Sequence, residues 1–386
     1  MSTVVCKFGG SSVSDAGMFV RVNRIIRSDP GRKYIVLSAP GKRRADDEKI
    51  TDLFYRAHDG SRRGDYSILS QIFSRYADIR DALAPEFNME REFTEIRARL
   101  HTSPDYAASR GEYLCARLFA AYTGAPFVDA AQLLFFDANG EIDSARSADA
   151  VSRLLAPLPR AVIPGFYGTG ADGEIKTFSR GGSDVSGALL SAMLGADLYE
   201  NWTDVEGLYT ADPRIVPGVR RNSVVSLKQM EQIARAGAQL LHPDALKPLE
   251  GTEIDTVLKN TFSPGSDGTR ISESCTNTVQ CVTGRHPLYL IGDTECRQML
   301  DCNLLLHSLP VHGSIPVAAI RVFGMNDAQL QLAERQLKPI HIIHMQDHIQ
   351  IIIPEQEYET GVRAVHAILM EGEPCHCQSN AIFENA

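Results

Sequence analysis

The chain has 386 residues, of which 44% are hydrophobic and 23% are charged, and its formal net charge is −9. This length predicts two or three domains with a large buried core. The negative charge disfavours general nucleic-acid binding, which needs a positive surface. No run approaches about 18 apolar residues and no charged leader precedes an apolar stretch, so we expect a cytoplasmic protein without a membrane partner.

The N-terminal region alternates between strand and helix patterns. Residues 3–8 form an apolar run that predicts a buried strand, and Gly9-Gly10-Ser11-Ser12 ends it. Ser14 and Asp15 then predict the cap of an amphipathic helix, and residues 34–37 are typical of the next strand. The chain therefore opens with a βαβ unit, which implies parallel strands.

The same alternation recurs further along the chain. Residues 161–163 and 196–202 predict strands, and between them residues 185–193 have helical apolar spacing that ends at Gly195. Ser226 and Gln229 are spaced as a capping box for another helix. This pattern favours an α/β fold, a three-layer sandwich around a mainly parallel sheet.

The character of the sequence changes near residue 272. Residues 272–280 are polar, and eight of the eleven histidines follow them. We predict short strands and helices in this region, at 288–291, 294–305, 317–322, 327–336, 340–343, 349–353 and 357–369. The sequence thus predicts a large domain over residues 1–271 and a small α+β regulatory domain over 272–386. Cys375-His376-Cys377 is either a metal-binding group or a set of incidental thiols in a frayed tail.

Two glycine-rich loops, at residues 9–12 and 179–184, each precede a helix. Parallel α/β sheets bind ligands beyond the carboxyl ends of their strands, and helix N-termini with close backbone approach favour phosphate. Lys7 stands just before the first loop, where its charge suits a transferred phosphoryl group. A plain tight turn with a surface lysine explains this loop equally well.

Three charged residues have both a functional and a structural interpretation. Arg180 is suited to bidentate binding of a carboxylate or phosphate, or to a structural ion pair. Asp184 either caps its helix or organises a catalytic lysine. Glu112 precedes an apolar run and is predicted at a helix start, where it either binds a substrate ammonium group or complements the helix dipole.

Residues 203–214 follow a predicted strand and are rich in turn residues. This segment suits a nucleotide whose base lies on Tyr209 and whose phosphates meet Arg214, and a solvated loop is the alternative. The sequence has neither the P-loop pattern nor the protein-kinase catalytic-loop pattern. The first glycine loop also lacks the full G-x-G-x-x-G pattern, which counts against a Rossmann dehydrogenase.

Together these segments resemble the aspartokinase family of amino-acid kinases. The opening Lys7-Phe8-Gly9-Gly10-Ser11-Ser12-Val13 is similar to the family signature K-F-G-G-[TS]-S-V. The resemblance continues in order over residues 3–271, and its most selective part is T-D-V-x-G-x-Y-T-x-D-P-R at residues 203–214. The other matching segments are 36–39, 51–52, 109–112, 164–166, 180–184, 237–238, 242–243, 260–261 and 268–269.

This resemblance implies the amino-acid-kinase fold and transfer of the γ-phosphoryl group of ATP to the side-chain carboxylate of L-aspartate. It implies that Lys7 stabilises the transferred phosphoryl and that Asp184 orients Lys7. The remaining implied contacts are with phosphates for Gly9, Gly10, Ser11 and Ser38, with substrate for Thr51, Glu112, Arg180, Gly181, Gly182 and Ser183, and with nucleotide for Thr203, Asp204, Tyr209, Arg214 and Gln239. Mg²⁺ is expected to arrive with ATP, and no residue is assigned as a metal ligand.

The sequence departs from the family pattern at two places. Many aspartokinases have lysine where this chain has Gln239, and most carry two ACT domains, for which residues 272–386 are short. Residues 282–284 and 349–369 resemble the first and last parts of an ACT domain, so we predict a divergent, shortened ACT-like region for regulation or dimerisation. Feedback inhibition by lysine or threonine and a homodimer or larger homo-oligomer are expected from the resemblance. A glutamate or acetylglutamate kinase, and a regulatory subunit with a weakened kinase site, are the rival interpretations.

Overall fold

The computed structural model describes residues 2–178, 181–238, 240–276, 279–290, 306–307 and 315–371. The chain divides into two compact units, one formed by residues 1–208 and 221–277 and the other by 209–220 and 278–386. The break between the units after residue 277 lies close to the boundary predicted at residue 272. No pattern in the sequence indicated that residues 209–220 belong to the second unit.

The first unit alternates strands and helices along the chain, as the sequence predicts. Its elements are β1 (Val4–Phe8), α1 (Ala16–Arg27), β2 (Arg32–Leu37), α2 (Ile50–Ser61), α3 (Ser67–Leu83), α4 (Met89–Arg99), α5 (Pro104–Thr123), α6 (Ser144–Leu154), β3 (Ala161–Pro164), β4 (Tyr167–Thr169), β5 (Ile175–Thr177), α7 (Gly182–Leu194), β6 (Leu198–Thr203), β7 (Val224–Ser226), α8 (Leu227–Arg235), β8 (Asp255–Asn260) and β9 (Thr269–Ser272).

Among the described residues, seven strands form the main sheet in the order β3-β2-β1-β6-β8-β9-β7. The pairs from β3 through β8 are parallel, β8 and β9 are antiparallel, and β9 and β7 are parallel. The predicted, mainly parallel sheet is therefore confirmed. It places β1 and β6 side by side in its interior, so the loops that follow them emerge at one edge.

Alternation along β1 sends neighbouring side chains to opposite faces of the sheet. Val4, Cys6 and Phe8 pack into the hydrophobic core that the sheet shares with α1 to α5. Lys7 therefore projects from the other face, where its ammonium pairs with Asp184 of α7. Glycine caps in the left-handed region end α5 at Gly124 and α7 at Gly195, the second as predicted.

The second unit is a small antiparallel sheet with helices. Its described elements are β10 (Cys281–Leu290), β11 (Leu306–His307), β12 (Ile315–Phe323), α9 (Asp327–Leu337), β13 (His341–His344), β14 (Ile349–Pro354) and α10 (Tyr358–Met370). The strand order is β11-β10-β12-β14-β13, and α10 supplies Val362, Val365 and Ile368 to a core that also holds Ala211 and Val216. This arrangement agrees with the predicted ACT-like α+β unit. The helix predicted at 294–305 and the group Cys375-His376-Cys377 lie outside the described residues.

Candidate active site

A lysine, a carboxylate and an amide meet on one face of the sheet. Lys7 and Asn201 are register partners on the parallel strands β1 and β6, so their side chains leave the sheet side by side. The Lys7 ammonium forms an ion pair with Oδ1 of Asp184, and Asn201 Nδ2 donates a hydrogen bond of 3.0 Å to the same oxygen. The His242 N–H lies 3.4 Å from Oδ2. The Asp184 carboxylate is thus paired with Lys7, the contact that an organiser of this lysine requires.

Hydrogen bonds within the helix and to strand β6 hold the first turn that carries Asp184. The Asp184 N–H donates to the carbonyl of Gly181, and the Tyr199 hydroxyl donates to the carbonyl of Asp184 at 3.1 Å. Gly187, one turn further on, has no room for a side chain, because a Cβ there would lie 2.6 Å from the Tyr199 hydroxyl oxygen. The sequence pattern predicted this helix, and the packing against β6 fixes where its first turn lies.

The first glycine loop lies against a second loop that the sequence analysis did not assign. The Gly41 N–H donates to the Gly10 carbonyl at 2.8 Å, and a Cβ on Gly41 would lie 2.7 Å from the Gly10 carbonyl carbon. Ser38 donates its N–H to the Phe8 carbonyl, which holds the ends of β1 and β2 together. The structure therefore brings Gly10, Ser11 and Ser38 to one edge of the sheet.

Gly9 is part of this loop, yet its own amide is already used within the protein. Its N–H donates to the Trp202 carbonyl at 2.9 Å, so it is not available to a phosphate. A Cβ at Gly9 would stand 3.6 Å from the Lys7 ammonium nitrogen. A side chain at Gly9 would therefore stand in contact with the Lys7 ammonium.

Glu112 lies inside a helix and not at its start. Helix α5 begins at Pro104 because Ser103 caps it, its Oγ accepting the Tyr106 N–H, so the helix-start prediction for Glu112 is wrong. The helix dipole therefore does not account for this carboxylate. The apolar residues that follow Glu112 continue a helix that had already run for two turns, which the local pattern did not reveal.

Burial dominates the electrostatics of Glu112. The residue is 5% exposed, and desolvation raises the pKa of its carboxyl to about 8, against the opposing effects of the Ala39 N–H and the positive charges of Arg110 and Lys7. Its Oε2 has no hydrogen-bond partner among the described residues. The helix reaches the Ala39 loop through Gly111, where a Cβ would lie 2.8 Å from that of Ala39. A buried carboxylate with an unused oxygen is suited to bind a cationic group.

The start of α7 is packed against the turn that follows β3. A Cβ on Gly182 would lie 2.6 Å from the Phe166 ring, and one on Gly165 would lie 2.8 Å from that of Ser183. Phe166 has a φ of 81°, in the left-handed region that residues other than glycine rarely adopt. Such backbone strain is concentrated at functional sites. Gly182 and Ser183 are therefore packed closely against this turn, and Gly181 precedes them with a left-handed φ of 60°. Arg180, predicted to bind substrate, lies outside the described residues.

The predicted substrate residue Thr51 is the second residue of α2, the helix that packs on α5. Of the predicted nucleotide residues, Thr203 ends β6 and Asp204 follows it, with the Thr203 hydroxyl 3.2 Å from an Asp204 oxygen. Tyr209 and Arg214 belong to the second unit, where Arg214 pairs with Asp212 and lowers the pKa of that carboxyl. Gln239 lies outside the described residues.

Three participants in this site were missed by the sequence analysis: Asn201, Gly41 and the His242 backbone N–H. The signal for Asn201 was present, because a polar amide in an interior strand of a parallel sheet requires a partner. Gly41 and His242 gave no comparable signal, since each acts through its backbone and through contacts distant in sequence. Their roles depend on the tertiary fold.

The described residues contain no group of three or more His, Cys, Asp or Glu side chains placed to hold a metal ion. Asp184, the acidic side chain beside Lys7, already binds donors through both oxygens. These residues fit a Mg²⁺ ion that is held mainly by nucleotide phosphates rather than by a protein cage. None of the described helices is long and apolar enough to span a bilayer.

Comparison with known proteins places this geometry in a family. The profile of the amino acid kinase family matches residues 2–260. Aspartokinase 3 of Bacillus subtilis is 34% identical over 302 residues, 72% of this chain and 66% of the relative. Lysine-sensitive aspartokinase 3 of Escherichia coli is 30% identical over 349 residues, covering 83% and 73%. The chain spans only about two thirds of the Bacillus relative and 56% of an aspartokinase from Rickettsia prowazekii.

Solved structures agree. The aspartate kinase of Clostridium acetobutylicum superposes with a TM-score of 0.79 at 30% identity, covering 96% of this chain and 100% of that one. Escherichia coli aspartokinase III in complex with aspartate and ADP gives a TM-score of 0.76 at 21% identity, which supports the fold. The family profile and these relatives together show that the chain belongs to the amino acid kinase family and, within it, to the aspartokinases.

Proposed function

We propose that this chain transfers the γ-phosphoryl group of ATP to the side-chain carboxylate of L-aspartate, giving ADP and 4-phospho-L-aspartate. The observation that carries the proposal is the Lys7–Asp184 pair beside a glycine loop, at the carboxyl ends of two interior parallel strands. Phosphoryl transfer needs positioning and positive charge more than it needs a covalent nucleophile, and this arrangement supplies both.

In this proposal the chain's residues position charged groups around the reacting atoms. A substrate carboxylate oxygen attacks the γ-phosphorus, and the bond to the bridging oxygen breaks with its electrons going to ADP. No general base is required, because the carboxylate is ionised near neutral pH. Lys7 neutralises charge on the transferred group, while Asp184 keeps the ammonium in place. Mg²⁺ bound to the nucleotide would supply further neutralisation.

Glu112 is proposed to bind the α-ammonium group of the substrate. Its buried, unused oxygen is suited to a charged donor, and a charge-assisted hydrogen bond there would recover the cost of desolvation. Arg180 and Thr51 are proposed as further substrate contacts. Gly10, Ser11 and Ser38 are proposed to contact phosphates, and Thr203, Asp204, Tyr209, Arg214 and Gln239 to contact the nucleotide.

Regulation and assembly are also proposals. The Escherichia coli relative is a lysine-sensitive aspartokinase, and we propose that lysine or threonine inhibits this chain through the second unit, which acts in a homodimer or larger homo-oligomer. The domain division at residue 272 and the cytoplasmic location stay predictions.

The test is an acyl-phosphate assay. The purified chain would receive ATP, Mg²⁺ and L-aspartate, L-glutamate or N-acetylglutamate, with hydroxylamine as the trap, and lysine or threonine would be added in turn. Aspartyl hydroxamate formed with aspartate alone is the expected result. Product with glutamate or acetylglutamate instead would replace the substrate assignment, and no product at saturating ATP would favour a regulatory subunit.

A further inference from the structure

We infer that Asn201 is a positioning residue for the phosphoryl-transfer reaction, which it serves by orienting the carboxylate of Asp184 and, through it, the Lys7 ammonium. The inference rests on the proposed function, since it assumes that Lys7 contacts the transferred phosphoryl group. It assigns a task to a side chain that neither the glycine loops nor the charged residues of the site explain.

The position of Asn201 is fixed by the sheet. It is the register partner of Lys7 across β1 and β6, and it is 2% exposed. The residues on either side of it, Glu200 and Trp202, project to the opposite face, where Glu200 binds Arg32 in a bidentate ion pair and accepts the Trp202 indole N–H. Because both neighbours are held in this way, the Asn201 side chain has little freedom to leave the Lys7 face.

The amide and the ammonium share one acceptor. Asn201 Nδ2 donates to Asp184 Oδ1 at 3.0 Å, and Lys7 pairs with the same oxygen. At Oδ2 the carboxylate has the His242 N–H at 3.4 Å, and at Oδ1 a flexible lysine alone would leave its plane loosely set, whereas a second donor from a rigid strand fixes that plane. The amide achieves this without a charge, so the lysine remains the cation at this oxygen. A carboxylate at position 201 would add a negative charge where a phosphoryl group must approach.

The carbonyl oxygen of the Asn201 amide argues against a purely structural role. Asn201 Oδ1 is buried and has no hydrogen-bond partner among the described residues. An unsatisfied buried acceptor is destabilising, so an apolar residue would serve packing better. Thr256 on the adjacent strand β8 is a matched control, because it is 1% exposed and its Oγ1 likewise lacks a partner in the described part of the chain, while its register partner on β6 is Tyr199 and not Asn201.

The first experiment compares Asn201→Leu, Asn201→Asp and Thr256→Val by steady-state kinetics. We expect both Asn201 variants to lose about tenfold to hundredfold in kcat, with KM for aspartate and ATP changed by less than about threefold, because misplacement of a catalytic group affects the transition state. Thr256→Val should keep wild-type kinetics. A kcat within about twofold of wild type in Asn201→Leu, or an equal loss in Thr256→Val, would overturn the inference. If Asn201→Leu fails to fold by thermal melting, the isosteric Asn201→Asp carries the test.

The second experiment asks whether Asn201 acts through Asp184. In an Asp184→Asn background, Asn201→Leu should reduce kcat by less than about twofold further, because groups acting as a unit are non-additive. The exchanged double variant Asp184→Asn with Asn201→Asp keeps one carboxylate and one amide, and it should exceed both single variants in kcat. Fully multiplicative losses without such rescue would overturn the inference.

The same variants separate this inference from the proposed function. An inactive wild type would refute the function, and the pair would then be tested by its effect on the melting temperature alone. Non-additive melting shifts for Asn201→Leu and Asp184→Asn would support the contact, and additive shifts would overturn it.

Discussion

The ammonium of Lys7 is paired with the carboxylate of Asp184 across the space between strand β1 and helix α7. Both groups are largely buried, with side-chain exposures of 9% and 13%, so water screens this pair less than it would a surface pair. The pair joins the first glycine loop to the second, and the proposed chemistry depends on it.

Lys7→Ala should lower kcat by about 10²–10³-fold, because it removes a preorganised positive charge from the reaction centre. Steady-state assays with saturating aspartate and MgATP measure this. Lys33→Ala is the control for the loss of a lysine charge, because Lys33 lies on β2 and its ammonium contacts the Thr3 hydroxyl. Near-normal turnover of Lys7→Ala, with a melting temperature close to wild type, would remove Lys7 from the reaction.

Glu112→Gln should raise KM for aspartate by about tenfold to hundredfold while KM for ATP stays constant, because a charge-assisted hydrogen bond to the substrate ammonium is lost. Initial-rate measurements in both substrates separate the two constants. Glu95→Gln, an exposed partner of Arg91 on α4, serves as the control. An unchanged aspartate dependence would exclude Glu112 from the substrate site.

Aspartate binding should strengthen as pH rises toward about 8, the value to which burial raises the pKa of Glu112. Below that pH the carboxyl is protonated and neutral, and it cannot pair with the ammonium. The ionised fraction of Glu112 rises from about 1% at pH 6 to about half at pH 8, so we expect kcat/KM for aspartate to increase by about fiftyfold over this range. The increase should vanish in Glu112→Gln, and a rise of equal size in that variant would refute the assignment of this titration.

The same pKa shift predicts a change of stability with pH. The folded protein holds a proton on Glu112 that the unfolded chain releases, so this group lowers stability as pH rises from about 4.5 to about 8. Glu112→Gln removes this pH dependence of stability, because glutamine does not titrate. The melting temperature of the variant should therefore gain on wild type between pH 5 and pH 8, as calorimetry can measure. A difference that stays constant with pH would contradict the shift.

Gly41→Ala should destabilise the protein by about 1–3 kcal/mol, because the new Cβ would lie 2.8 Å from the Ser11 nitrogen and neither backbone can yield easily. We expect kcat to fall by about tenfold as the loop moves. Gly265→Ala is the matched control, since nothing lies within 4 Å of its Cβ position. Equal melting temperatures of the two variants would show that the loops do not depend on this contact.

The local patterns of the sequence were sufficient for much of this structure. Apolar runs of period two and helical spacing predicted β1, β2, β6, α1 and α7, because these elements depend on burial of a regular face. The glycine loops and Lys7 were evident for the same reason: each lies where a strand pattern stops. The order of motifs was enough to indicate the family.

The tertiary structure decided which residues meet. Only the packing of α7 on β1 and β6 brings Asp184, Lys7 and Asn201 together, since contacts between elements distant in sequence leave no local pattern. The same reason explains Gly41, whose restriction comes from the backbone of Gly10. Glu112 shows the converse error, because the apolar run after it predicts a helix start there, whereas the helix begins directly after the cap residue Ser103. Burial within the fold then set the pKa of Glu112, a property that its identity alone does not contain.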